Sequence, residues 1–354
     1  MAEAAEAIAA RIRDAAQDRR PLRLRGGGTK DFYGGAPSGE ILDARAYSGI
    51  VAYEPSELVV TARCGTPLAE LESALDASGQ MLAFEPPHFG PAATLGGCIA
   101  AGLSGPRRAS AGALRDFVLG VRVVDGRGQL LSFGGRVMKN VAGYDLSRLV
   151  AGSLGTLGMI VEASLKVLPK PVAECMLRLE MPEGRAIEAM NRWAGQPLPI
   201  SATAWQGGVL AVRLSGAASA LREAAARLGG ERSEGPSMQA LWQGIREQTD
   251  PFFAGADPLW RLSLPTASAP LGLPGAQLIE WNGGLRWLKT SSPAQAVRDA
   301  AHGVGGHATI FRGSDRSAGV FSPLSPALAR LHRELKAVFD PAGILNPGRL
   351  DAKS

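Results

Sequence analysis

Cysteine and histidine are the scarce residues of this chain. Its three cysteines, Cys64, Cys98 and Cys175, are odd in number and far apart, and no C-x-x-C pair occurs. That excludes a disulfide framework, points to a reducing compartment, and leaves an iron–sulfur cluster or structural zinc without a ligand set. The four histidines, His88, His302, His307 and His332, form neither H-E-x-x-H nor H-x-H, so no metal site is expected. Long apolar runs are missing too, which leaves nothing to span a bilayer. Glu3 and Glu6 stand where a secretory signal carries basic residues, and no apolar stretch follows, so no signal peptide is expected. Net charge is +5 with the two signs interspersed, which offers no stripe for nucleic acid. Neither a Rossmann G-x-G-x-x-G nor a P-loop G-x-x-x-x-G-K-[ST] fits any loop, so nicotinamide and P-loop chemistry are disfavoured.

Glycine, in contrast, is abundant. The chain holds 45 glycines in 354 residues, where average usage would give about 25. They are clustered, which suits loops that line a ligand with backbone better than it suits disorder. The first cluster, Arg25-Gly26-Gly27-Gly28-Thr29-Lys30, follows the strand-like run Pro21–Leu24. Three residues without Cβ atoms let backbone N–H groups converge on an anion, and Arg25 and Lys30 add positive charge at either end. Taken alone, the same residues also fit a tight turn at a strand end.

The remaining pattern suggests roughly two domains with a sizeable core. Ala5, Ile8, Ile12 and Ala15 share one face of an N-terminal amphipathic helix. Strand-like runs follow at 40–43, 49–53 and 57–62. Thr66 then reads as an N-cap with Pro67 at N1, opening a helix through Leu68, Leu71 and Leu75 that Gly79 stops. From Thr94 to Pro106 small residues alternate with hydroxyls, fitting either a chain lying close on a ligand or a close-packed helix, and Arg107 and Arg108 come next. Residues 117–124 read as a buried strand, Asp125–Gly128 as its hairpin turn, and 129–133 as the returning strand. Beyond Pro169-Lys170-Pro171, a strand, helix, strand, strand, helix order suits a ferredoxin-like domain. Residues 278–288 form a hairpin turned at Gly283-Gly284, with Trp281 and Trp287 read as core. Leu328, Leu331, Leu335 and Val338 mark one face of a helix over 326–339.

Five motifs in order, Arg25–Lys30, Thr94–Gly97, Arg115–Gly120, Gly143–Leu146 and Gly152–Gly158, together with Phe339–Gly348, resemble the vanillyl-alcohol oxidase/PCMH family of FAD-binding flavoproteins. The wording at Arg25–Gly34, Leu103–Arg108 and Met138–Asp145 is most similar to the small E-type FAD-binding subunits of bacterial glycolate oxidases (glycolate dehydrogenases). The resemblance implies an α+β fold: a PCMH-type FAD-binding domain of two α+β subdomains over residues 1–170, a ferredoxin-like cap or substrate-side domain over 171–325, and a C-terminal segment, 326–354, returning to the FAD domain. It implies FAD, held without a covalent bond since Thr29 stands where some relatives carry histidine, His88 being a weak alternative. The implied contacts are Arg25, Gly26, Gly27, Gly28, Thr29, Lys30, Pro87, Thr94, Gly96, Gly97, Gly102, Ser104, Gly105, Gly155, Gly158 and Ile160.

The activity so implied is oxidation of glycolate to glyoxylate within a complex. Hydride abstraction from a 2-hydroxy acid needs a base for the hydroxyl proton and a cation for the carboxylate. The histidine-rich motif that self-sufficient relatives carry in the cap is missing, and Leu154 stands where larger relatives often place a glutamate. His307, Arg286 and Arg312 are candidates for which structural roles read at least as well, so no catalytic residue is assigned. The expected partners are a larger paralogous FAD subunit that oxidises the substrate and an iron–sulfur subunit that takes the electrons. The expected location is the cytoplasm, with peripheral membrane association through the complex left open. The alternatives are a free-standing FAD-dependent 2-hydroxy-acid (D-lactate-type) dehydrogenase and a scaffolding subunit without redox function.

Overall fold

The computed structural model describes residues 2–135, 145–313 and 315–350. Residues 138–144 of the motif Met138–Asp145, and with them Gly143 and Tyr144 of Gly143–Leu146, therefore lie outside the described residues. The chain divides into two compact units: Met1–Leu103, Ala113–Pro169 and Pro323–Ser354 in the first, Ser104–Gly112 and Lys170–Ser322 in the second.

In the first unit the helix Ala2–Gln17 buries the face anticipated from its spacing, with Ile12 and Ala15 fully enclosed. It packs on Leu22, Leu42, Val161, Ile344 and Leu345. Strands β1 (Leu22–Arg25) and β2 (Glu40–Asp43) run parallel. The chain's end extends this pair: Leu22 N donates to Ile344 O (2.7 Å) and Asn346 N to Leu22 O (2.9 Å). β3 (Ile50–Glu54) and β4 (Val59–Arg63) come next, with β5 (Gln80–Met81) after the helix Leu68–Asp76. β6 (Val118–Val124), β7 (Leu130–Gly134) and β8 (Met159–Lys166) complete an antiparallel five-stranded sheet in the order β3-β4-β8-β6-β7, and β9 (Leu168–Pro169) pairs with β5. β8 sits at the centre and is buried on both faces, as its Met-Ile-Val-Glu-Ala-Ser-Leu run requires.

One cap differs from the sequence reading. The helix begins at Leu68, with Pro67 in the capping position and no side-chain cap. Thr66 is fully buried and its hydroxyl accepts instead from Gly49 N–H (2.8 Å). A tertiary donor has taken the oxygen that a local motif would have used.

The second unit is built on one antiparallel sheet of eight strands. β10 (Ala173–Glu180), β11 (Ile200–Gln206), β12 (Val209–Gly216) and β13 (Glu231–Ser233) form one half, and β14 (Leu259–Ser263), β15 (Ala276–Glu280), β16 (Leu285–Lys289) and β17 (His307–Arg312) the other. The order is β13-β10-β12-β11-β15-β16-β14-β17. The first half, with helices Glu183–Ala194 and Ala218–Leu228, is the ferredoxin-like arrangement expected from the sequence. The second half repeats the same strand order in mirror sequence across the β11–β15 pairing. Here the first crossover helix is replaced by residues 264–275, in which Pro265, Pro270 and Pro274 each remove a donor and forbid a helix interior. Trp281 and Trp287 are core residues at 4% and 6% exposure.

Ser104–Gly112 belongs to this second unit. Gly105 O accepts from Trp281 Nε1 (3.0 Å), Arg107 Nη2 donates to Glu174 Oε1 (2.7 Å), and Ser110 Oγ donates to Ser201 O (2.9 Å). Arg286, considered above for a substrate carboxylate, is fully buried and donates to the carbonyls of Ser268 and Ala269 and, at 3.4 Å, of Gly283. Its donors close the proline-rich crossover, and its role is structural.

Candidate functional site

The first unit holds a cleft at the end of β1. Its floor is the glycine loop. A Cβ on Gly27 would strike the Ala92 carbonyl, one on Gly26 the Thr94 hydroxyl, and one on Gly96 would lie 2.8 Å from Cys64 Cβ. The glycines therefore let loop 26–30, segment 92–97 and the end of β4 touch backbone to backbone. That contact brings the N–H groups of separate loops to one wall. Thr94 caps the helix Leu95–Ala101, its hydroxyl accepting from Gly97 N–H (3.3 Å). The N–H groups of Gly26, Gly27, Gly28 and Thr29 donate to no protein acceptor among the described residues. Four N–H donors without a protein acceptor, on residues that line the cleft, suit an anion.

The charge is consistent with that. Arg23, Arg25, Lys30 and Arg349 line the cleft and Asp31 is the one acid among its lining residues. Asp31 takes Arg23 Nη2 and, at 3.1 Å, Arg25 Nε, which leaves an excess of cations. Lys30 Nζ donates to His88 O (3.2 Å) and stands 5.6 Å above the Phe89 ring. Burial pushes the Cys64 thiol well above its ordinary value and the Cys98 thiol up to about 12, so neither is a thiolate nucleophile near neutrality.

Of the residues singled out from sequence, Arg25, Gly26, Gly27, Gly28, Thr29, Lys30, Thr94, Gly96, Gly97, Gly155, Gly158 and Ile160 line this cleft. Pro87, Gly102, Ser104 and Gly105 do not. Gly102 ends its helix at φ +65°, and a Cβ there would meet Gly152 Cα at 2.8 Å, so contact with a second backbone accounts for that glycine. Ser104 and Gly105 belong to the second unit.

No histidine lines the cleft. His88 sits 3.1 Å from the Glu72 carboxylate. His307 opens β17 at the surface, its imidazole pushed down by desolvation and by the charge of Arg261. Burial pushes Arg312 down as well, and it stacks 5.8 Å over Phe311. Among the described residues no group of three or more His, Cys, Asp or Glu could hold a metal ion.

Sequence reasoning passed over Arg23, Asp31, Asn346 and Arg349, all of which line the cleft. Asn346 lies in the closing motif, and its side-chain carboxamide accepts from Leu24 N–H and donates to Leu154 O, both at 2.7 Å. Arg349 Nη1 donates to Asp31 O (3.0 Å) and to Gly35 O, holding the far side of the glycine loop. The place of Asn346 in the closing Phe339–Gly348 motif was the one available signal. Its partners Leu24 and Leu154, 322 and 192 residues away, were invisible in the sequence.

The family profile described as "FAD binding domain" matches residues 1–134, and that described as "FAD linked oxidases, C-terminal domain" matches residues 312–350. The chain is 47% identical over 348 residues to glycolate oxidase subunit GlcE of Escherichia coli, covering 98% of this chain and 97% of that protein. It is 34% identical over 157 residues to glycolate oxidase subunit GlcD of Bacillus subtilis, covering 44% of this chain and 33% of GlcD. A D-lactate dehydrogenase of Anaerostipes hadrus is 34% identical over 173 residues, 48% of this chain and 36% of that protein. Among solved structures, alkyldihydroxyacetonephosphate synthase superposes with a TM-score of 0.69 at 16% identity, covering 97% of this chain and 75% of that one, a likeness of fold.

Proposed function

The chain belongs to the glycolate oxidase subunit GlcE family of FAD-linked oxidases, and from that premise we propose that it is the FAD-binding subunit of a glycolate oxidase complex. The observation that carries this reading is the cleft: four unused N–H donors at Gly26–Thr29 among an excess of cations. That donor set fits the diphosphate of a dinucleotide. In this assignment Gly26–Lys30 with Thr94, Gly96 and Gly97 hold the diphosphate, and Gly155, Gly158 and Ile160 lie along the rest of the cofactor. FAD held there would supply a redox-active flavin to the complex. The protein's part is to orient it, exclude water with Cys64, Leu154 and Met159, and neutralise the diphosphate with Arg25 and Lys30.

The division of labour assigned here is supported by the make-up of the cleft. Among the described residues, its titratable lining groups are arginines, one lysine, one aspartate held by two arginines, and a thiol too basic to ionise. None of these is a histidine, and the one carboxylate is already engaged by two guanidinium groups. We assign substrate oxidation to a larger paralogous FAD subunit and onward electron transfer to an iron–sulfur partner. A surface on this chain favours a partner: the helix Pro326–Phe339 leaves Leu328 and Leu331 49% exposed and Val338 60% exposed on one face. No helix of the described residues is long and apolar enough to cross a membrane, and membrane association, in this reading, is through the complex.

The deciding experiment is an anaerobic visible spectrum of the purified chain before and after glycolate, repeated on the co-expressed complex. Flavin bands that persist in the isolated chain and bleach in the complex are expected. Bleaching in the isolated chain would instead establish a self-sufficient dehydrogenase. No flavin under any loading condition would overturn the FAD assignment.

A further inference from the structure

We propose that Asn346 is a positioning residue for the FAD site, setting the spacing of the two loops that line it; this inference rests on the FAD reading above. The geometry begins with the backbone. The N–H of Asn346 is bonded to Leu22 O (2.9 Å), so the residue is a rung of the sheet that carries β1. It adopts φ +45°, a left-handed conformation that asparagine tolerates better than most residues. It is 6% exposed.

From that fixed point the carboxamide joins two loops. Its oxygen accepts from Leu24 N–H (2.7 Å), one residue before Arg25 and the glycine turn. Its nitrogen donates to Leu154 O (2.7 Å), one residue before Gly155. Leu154 itself is held at φ +51°, and a Cβ on Gly155 would lie 2.6 Å from the Asn346 nitrogen. The 154–158 loop is thus seated on this one side chain, and glycine at 155 is what lets it sit there. One planar group with a donor at one end and an acceptor at the other fixes both approaches to the cleft. Neither a purely accepting nor an apolar side chain of that size can do so.

The chain's end is secured independently. Asp340, 2% exposed, accepts from Leu345 N–H (2.7 Å) and Ile344 N–H (3.2 Å), and Lys336 Nζ donates to Asp340 Oδ2 (2.6 Å), Leu345 O (2.8 Å) and Thr156 O (2.9 Å). Asn346 therefore starts from a rigid base, and changing its side chain alters the loop spacing without releasing the segment.

The test compares the full-length chain with Asn346→Asp and Asn346→Ala. Aspartate keeps an acceptor for Leu24 N–H but turns an oxygen toward Leu154 O, while alanine removes both bonds without burying a charge. The readouts are the FAD dissociation constant of the folded protein, the vibronic shape of the bound-flavin bands, and the thermal midpoint without FAD. A positioning role predicts FAD affinity lower by about tenfold or more, the scale of one buried polar group left unpaired, with blurred flavin bands. A purely structural role moves the thermal midpoint and leaves affinity within about twofold, which overturns the proposal. So does failure of both variants to fold. If the unaltered chain binds no FAD, the cofactor reading fails first, before the variants are compared.

Discussion

Removing the ammonium of Lys336 is the perturbation that most directly tests how the chain's end is anchored. Its Nζ is surrounded by the Asp340 carboxylate and the carbonyls of Leu345 and Thr156, between 2.6 and 2.9 Å away, and the side chain is 15% exposed. Lys336→Met preserves length and apolar packing but leaves the Asp340 carboxylate, 2% exposed, with backbone N–H donors alone. Breaking one partner from a buried pair costs about 3–5 kcal/mol. The two N–H bonds that remain offset part of this, so a loss of about 2–3 kcal/mol is expected. Asp340→Asn should cost less, because lysine can still reach solvent and the carbonyls. The double variant should be more stable than the sum of the two losses by about 1–2 kcal/mol, the signature of a coupled pair. Urea unfolding followed by tryptophan fluorescence is unsuited, since all the tryptophans lie in the second unit. Hydrogen exchange at Leu22 and Asn346, whose amides bind across the β1 junction, reports the first unit directly. A single-variant loss below about 0.5 kcal/mol, or strict additivity, would refute the reasoning.

Other outcomes follow from the same geometry. Gly27→Ala should abolish flavin retention, because its Cβ meets the Ala92 carbonyl and the two loops must part; unchanged FAD content on purification would contradict this. The Cys98 thiol, raised to about 12 by burial from an ordinary value of 9.0, gives a pH dependence. A raised thiol contributes stability that is complete below the unfolded value and lost as pH climbs from about 9 to 12, by about 1.4 kcal/mol per pH unit. Cys98→Ala should flatten that alkaline slope in denaturation curves, even if it lowers stability at pH 7. Leu331→Glu, on the exposed face of the last long helix, should change the stability of the isolated chain by less than about 0.5 kcal/mol yet reduce co-purification with its partner subunits; undiminished co-purification would place the partner contact elsewhere.

Legibility divided along the range of the interactions. The glycine turn, the helix at Ala2–Gln17, the hairpin at Asp125–Gly128 and the β-α-β-β-α run of the second unit depend on neighbours within a few residues. Periodicity and turn chemistry were enough to anticipate them. The second half of the eight-stranded sheet was less legible, because its crossover at 264–275 is proline-rich and lacks the helical period that marks the first half. Arg286 illustrates the limit for single side chains. As a sequence position it was a cation available to a carboxylate, whereas in the fold it is fully buried against three carbonyls.

The sequence by itself determined that loops 25–30, 94–97 and 152–158 are glycine-rich, that the chain has neither cysteine pairs nor a histidine cluster, and that an FAD-binding fold is implied by the order of its motifs. The first two are properties of composition and local spacing, and the third is what the resemblance of those motifs to a known family implies. Tertiary structure alone decided which residues share the cleft. It drew Gly102, Ser104 and Gly105 away from it, by packing against Gly152 in one case and by membership of the second unit in the others. It brought in Arg23, Asp31, Asn346 and Arg349. The reason is that a hydrogen bond such as Leu24 N–H to Asn346 Oδ1 is specified by where two distant segments meet, and packing across the whole unit sets that meeting point.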